Sequence, residues 1–306
     1  MPCYHPLKGF YAENGGWVRR LAMARHPPEV LEVPCGQCIG CRLEKSRQWA
    51  IRIMHESQSW DSNAFLTLTY ENLDHGPSLV PKHFTDFMKR LRFTGEKVRY
   101  YQCGEYGEKN RRPHHHAAMF NYWPKDAKLL TTSGEYKLYE AESLNKLWGH
   151  GQVSFGTLTF ESAAYVARYV TKKVNGKQAK QHYEHVDPET GETHQLHPEY
   201  ATMSRRPGIG RDWVKRFGND TYEKDEVIMR GKAMRPPRTY DINMETQNPE
   251  LLEQVKAARE ERALKKYGEK PDFNLFQYDK PDLETDRRLH AGETITKQRL
   301  QKRNTM

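Results

Sequence analysis

The hydrophobic pattern is strongest between residues 42 and 173. Over residues 42–57, Leu43, Trp49, Ile51, Ile53 and Met54 mix with arginine and lysine, which predicts an amphipathic helix. Residues 64–70 (AFLTLTY) alternate Phe65, Thr67 and Thr69 against Leu66, Leu68 and Tyr70, the two-residue period of a strand. Pro81 then opens a helix in which Phe84, Phe87, Met88 and Leu91 recur at spacings of three and four. Residues 98–104 (VRYYQCG) predict a second strand, and PHHHAAMFNYW, after the polar turn EYGEKNRR, a third. A short helix over 140–148 carries Leu144, Leu147 and Trp148 on one side. Residues 151–160 predict a fourth strand, and 162–173 a helix preceded by Glu161.

The order is β-α-β-β-α-β-α, which predicts an α+β fold of the split, ferredoxin-like kind: an antiparallel sheet covered by helices on one side. No repeat period is visible. Residues 1–34 hold glycine and proline without periodicity, and beyond Val174 the signal weakens. GKQAKQHYEHVDPETGETHQLHPEY is loop-like, MSRRPGIG is a basic loop, 250–266 is a charged helix, and the last forty residues resemble a partly disordered tail. The expected divisions are a cysteine-rich segment and helix over 1–60, a core over 61–180 and an extension over 181–306.

Composition narrows the class. Of 306 residues only 36% are hydrophobic, yet 11% are aromatic, which argues against wholesale disorder. No run approaches the roughly 18 apolar residues of a membrane helix, and the N-terminus lacks a secretory pattern, so the expectation is a soluble intracellular protein. The net charge of +9 makes nucleic acid a leading partner.

Candidate chemistry starts in CGEYGEKNRRPHHHAAMF. His114 and His116 are two apart on a predicted strand and share a face, so both imidazoles can reach one divalent ion. Glu105, on the preceding strand, closes a two-histidine, one-carboxylate set if the two strands form a hairpin, suited to Mn²⁺, Mg²⁺ or Zn²⁺. An unliganded surface histidine cluster is the plainer alternative. In the helix AAYVARYVTKK, Tyr165 and Tyr169 are four apart on one face and Lys172 joins it. Two tyrosines packed into a core would give the same spacing, but a phenol beside a lysine also suits phosphoryl transfer, because the cation favours phenolate. FLTLTY would form the floor of such a site. CGQCIGC places Cys35, Cys38 and Cys41 at C-x2-C-x2-C spacing with Cys3 as a fourth thiolate, the pattern of a structural zinc site. His5 can replace Cys3. Reduced thiols without metal and an iron–sulfur cluster are the alternatives.

The order FLTLTY, then GEYG…RPHHH, then YVARYVTKK resembles the three motifs of HUH endonucleases, the rolling-circle replication initiators, in their two-tyrosine bacteriophage branch. MPCYHP, VPCGQCIGCRLEKSRQWAIR and MSRRPGIG resemble the initiators of gokushovirus-type microviruses. The likeness covers most of residues 1–215. It implies a nicking and joining enzyme acting on single-stranded or melted origin DNA in the host bacterial cytoplasm. A divalent ion (Mn²⁺ or Mg²⁺) at His114, His116 and Glu105 would polarise the scissile phosphate. Tyr165 or Tyr169 would attack to give a 5′-phosphotyrosine and a free 3′-OH, with Lys172 stabilising phenolate. Arg168, Lys173, Lys177, Arg205 and Arg206 are the expected DNA contacts. No GxxxxGK[ST] loop is present, so a host helicase and DNA polymerase are implied partners. One departure is His115, where the family carries a bulky hydrophobic residue. Alternation turns it away from the metal, though a register slip would let it contribute. The competing functions are a non-catalytic, zinc-containing DNA-binding or packaging protein, and a plasmid initiator or transposase of the same superfamily.

Overall fold

A seven-stranded sheet, antiparallel throughout, organises the larger part of the chain in the computed structural model. The structure describes residues 3–26, 28, 30–73, 76–108, 110–168, 173–174, 176–186, 191–267 and 283–304. Two units are distinguished: residues 1–45 with 254–306, and residues 46–253.

In the first unit, β1 (Leu7–Tyr11) pairs with β2 (Trp17–Val18) and with β3 (Val30–Val33). The sequence gives no warning of this sheet, because its strands are short and punctuated by glycine and proline. Helix α1 (Ile39–Ser57) begins here and continues into the second unit. Within the last forty residues, the described part is a helix, Leu283–Asn304. It is tied to the N-terminal arm by Tyr4 Oη to Thr296 Oγ1 at 2.7 Å and by His5 Nε2 to Glu293 Oε2 at 2.9 Å.

In the second unit come β4 (Asn63–Thr69), α2 (Pro81–Phe93), β5 (Arg99–Tyr106), β6 (Pro113–Phe120), β7 (Lys128–Ser133), β8 (Tyr136–Glu140), α3 (Glu142–Trp148), β9 (Val153–Thr157) and α4 (Phe160–Ala167). A hairpin of β10 (Glu184–Val186) and β11 (Thr193–Gln195) precedes β12 (Tyr200–Met203), in a stretch whose polarity reads as loop. The sheet order is β12-β5-β6-β4-β9-β8-β7, so the four strands expected from alternation lie side by side in its middle.

The expectation of helices on one side only is corrected. On one face Leu66, Leu68, Ala117 and Met119 pack under Phe84, Phe87, Met88 and Leu91 of α2 and Leu144 and Trp148 of α3. On the other, Tyr101, Cys103, Ala118 and Phe120 pack under Ile53 of α1 and Ala163 and Val166 of α4. Central strands with apolar residues on both faces need cover on both. Helix α4 starts earlier than expected because Thr159 caps it, its hydroxyl accepting from Ser162 N at 3.2 Å while Ser162 Oγ accepts from Thr159 N at 2.9 Å. The structure describes it to Arg168.

Candidate active site

The hairpin of β5 and β6 sets Glu105 opposite His114 and Cys103 opposite His116, and β4 sets Thr69 and Thr67 against the same two histidines. The two-residue period therefore puts Glu105, His114 and His116 on one face. Glu105, only 2% exposed, holds Oε1 at 3.3 Å from His114 Nε2 and 3.4 Å from His116 Nε2. One ligand atom from each of the three residues lies within 4.8 Å of the others. This donor set, a carboxylate with two imidazoles, suits a divalent cation.

Each imidazole is oriented from behind. His114 Nδ1 lies 3.2 Å from the Arg112 carbonyl, which only accepts, so Nδ1–H is fixed there and Nε2 is turned to the Glu105 carboxylate. His116 Nδ1 lies 3.0 Å from Thr67 Oγ1, and its ring stacks on Phe65 at 5.5 Å between centroids. Strand alternation already puts Thr67 on this face, so it was within reach of sequence reasoning. The Arg112 carbonyl had no sequence signal.

His115 points the other way, which sets aside the register slip. It is fully buried, with Nε2 at 3.2 Å from Tyr70 Oη and its ring edge-on to Trp148. Burial, reinforced by the neighbouring imidazoles, lowers its pKa to about 3. Gly104 is opposite it, where a Cβ would stand 2.6 Å from the Tyr200 ring and 3.1 Å from His115 Nδ1.

Tyr165 reaches the cluster from α4. Its hydroxyl donates to Glu105 Oε1 at 3.0 Å, and its ring meets His116 edge-on at 5.0 Å. Burial of the phenol, then the Glu105 charge, push its pKa above the ordinary tyrosine range, although the residue as a whole is 38% exposed. The Arg168 guanidinium lies 5.6 Å from the Tyr165 ring centroid. Tyr169 and Lys172 lie outside the described residues. Lys173 is half-buried, and Lys177 lies in the short helical turn Gly176–Gln178. Arg205 and Arg206 are exposed in the turn after β12. Because Ser204 N donates to Tyr100 O at 3.0 Å, that turn meets the end of β5 remote from Glu105, roughly 17 Å along the strand.

The cysteines form a second cluster. Sulfurs of Cys3, Cys35, Cys38 and Cys41 lie within 4.8 Å of one another, and all four are free thiols. Cys35 N donates to Cys3 Sγ at 3.2 Å, and Tyr4 N to Cys38 Sγ at 3.3 Å. Burial raises Cys38, but the backbone donors and neighbouring thiols outweigh it and lower its pKa to about 6, whereas burial pushes Cys41 up. Four thiolates at this spacing repel one another unless a cation joins them. His5 faces Glu293 and is not one of this group.

The family described as replication-associated protein ORF2/G2P matches residues 63–174, the segment holding Glu105, His114, His116 and Tyr165. The replication-associated protein VP4 of Bdellovibrio phage phiMH2K is 36% identical over 265 residues, covering 82% of this chain and 79% of its own. The chain belongs to the phage replication-associated proteins. ORF2 of Spiroplasma virus 4 is 32% identical over 292 residues, covering 86% of this chain and 87% of its own. ORF4 of Chlamydia phage 1 is 34% identical over 152 residues, covering 46% and 38%. These relatives support a microvirus replication initiator. No solved structure matches. Among the described residues no helix is long and apolar enough to cross a membrane.

Proposed function

We propose that this replication-associated protein is an HUH-type endonuclease and strand transferase that nicks single-stranded or melted origin DNA and later rejoins it. The observation that carries the reading is Glu105 Oε1, shared by two imidazole nitrogens and the Tyr165 hydroxyl. The central strand order β5-β6-β4-β9 supports it, being that of a ferredoxin-like split βαββαβ unit. The core over 61–180 would carry the chemistry, flanked by the cysteine-rich segment over 1–60 and the extension over 181–306.

Glu105, His114 and His116 would hold Mn²⁺ or Mg²⁺, which when bound supplies Lewis-acid polarisation of the scissile phosphate. Glu105 orients the Tyr165 phenol by accepting its hydrogen bond. In the cleavage step a bond forms between the tyrosine oxygen and phosphorus as the bond from phosphorus to O3′ breaks. The phenolic proton passes through solvent to the departing oxygen, leaving a 5′-phosphotyrosine and a free 3′-OH. Tyr169 is the second nucleophile and Lys172 stabilises phenolate. Arg168, Lys173, Lys177, Arg205 and Arg206 contact backbone phosphates. A host polymerase extends the 3′-OH and a host helicase unwinds the duplex, placing the work in the host bacterial cytoplasm. Cys3, Cys35, Cys38 and Cys41 hold a structural zinc ion.

The test is a covalent adduct. Incubated with Mn²⁺ and single-stranded phage DNA, then boiled in detergent, the parent protein should stay attached to a DNA 5′ end. Tyr165→Phe and Tyr169→Phe should each retain some single-turnover adduct, and the double variant none. Closed circles from repeated cycles should fail in both single variants. A parent protein that never forms the adduct would be a DNA-binding protein without this chemistry.

A further inference from the structure

An open cleft of about 450 Å³ lies against His114, on the side where the β5–β6 turn meets the end of β4. Its size is that of a small-ligand site. Tyr70 and Pro113 line it, with Glu108 and Asn110, both exposed on the turn, and Arg112. Arg112 is fixed rather than loose: its guanidinium donates to Tyr70 O at 2.8 Å and Glu71 O at 3.0 Å. Its carbonyl accepts from Gly107 N at 3.0 Å and faces His114 Nδ1 at 3.2 Å. The same turn therefore builds the cleft and orients a histidine of the candidate active site.

We propose that this cleft seats the nucleobase next to the scissile phosphate and that Glu108 and Asn110 read its edge. The inference rests on the endonuclease reading above. A phosphate held at the Glu105–His114–His116 cluster puts the adjoining nucleoside at the cleft, because His114 belongs to both. Beside the Arg112 guanidinium, the cleft carries the Glu108 carboxylate. The carboxylate favours an exocyclic amine, as carboxylates accept from cytosine N4, and the Asn110 amide pairs with an adenine edge. The cleft is thus matched to an amino-bearing base over thymine, whose Watson–Crick edge has one ring N–H donor and no amine.

The experiment uses the full chain with Mn²⁺ and a random single-stranded DNA library carrying no fixed origin. Adducts are isolated after detergent boiling and their DNA sequenced, alongside cleaved 3′ fragments, to give base frequencies on either side of the cut. The parent should show a preference of about tenfold or more for an amino-bearing base at one flanking position. Glu108→Gln and Asn110→Ala should flatten or change that preference at this position alone. The composition is read among recovered adducts, so it does not depend on how much adduct forms. An unchanged preference in both variants, or no preference in the parent, would overturn the proposal. Absence of adduct in the parent would instead overturn the endonuclease reading.

Discussion

Both candidate metal-binding histidines present Nε2 because their Nδ1 atoms are occupied, His114 by the Arg112 carbonyl and His116 by the Thr67 hydroxyl. A ligand whose tautomer and ring angle are set in advance binds with less reorganisation. Thr67→Val removes the support and keeps the shape, so it should weaken Mn²⁺ binding by about tenfold, measured by calorimetric titration. His116→Ala should abolish adduct formation while DNA affinity at fixed salt stays within a few-fold, because the proposed phosphate contacts are separate basic residues. Chelation should stop cleavage and added Mn²⁺ or Mg²⁺ restore it. Full cleavage by His116→Ala would remove the histidine pair from the chemistry.

At the scale of elements, the four thiols join the N-terminal arm to the turn before α1 and to the first turn of that helix, an arrangement a bound zinc would lock. Purified protein should carry about one zinc per chain, retained when His114 and His116 are both changed to alanine. Cys38→Ser should lower the urea midpoint rather than the chemistry, since a structural zinc contributes folding free energy. Zinc content unchanged in a Cys38→Ser, Cys41→Ser double variant, read by atomic emission, would exclude the site. Elements were legible where burial imposes a period. Leu66 and Leu68 against Phe65 and Thr67 mark β4, and Phe84, Phe87, Met88 and Leu91 mark α2. The hairpin of β7 and β8 escaped because β7 is exposed along its whole length, so no alternation is selected, although the Ser133–Gly134 pair at its turn was a signal. Strand β12 escaped because it is only four residues long and half-buried throughout, so no alternation marks it. For the site, the pattern gave the shared face of His114 and His116, but the contact of Tyr165 with Glu105 depends on how α4 lies across the sheet, which periodicity does not encode.

At the scale of the molecule, the unit spanning residues 46–253 buries histidines in neutral form, and this sets its response to acid. His55 of α1 is 2% exposed, stacked on Trp213 at 3.5 Å between centroids, with Nδ1 at 3.0 Å from Tyr240 Oη. Burial lowers its pKa to about 3 from the ordinary value of 6.5. Above pH 6.5 the imidazole is neutral in both folded and unfolded chains, so its stabilising contribution is complete. Between pH 6.5 and about 3 only the unfolded chain takes the proton, and stability falls as pH falls. The slope from this one group is about 1.4 kcal/mol per pH unit over that window. His55→Phe keeps the stacked ring and removes the titration. Urea midpoints at pH 7, 6 and 5 should therefore converge in the variant, with the loss of stability per pH unit reduced by about that amount, even if the Tyr240 bond makes the variant weaker at pH 7. An acid slope identical in parent and variant would mean that His55 is protonated in the folded chain, and that the stack against Trp213 is open to water.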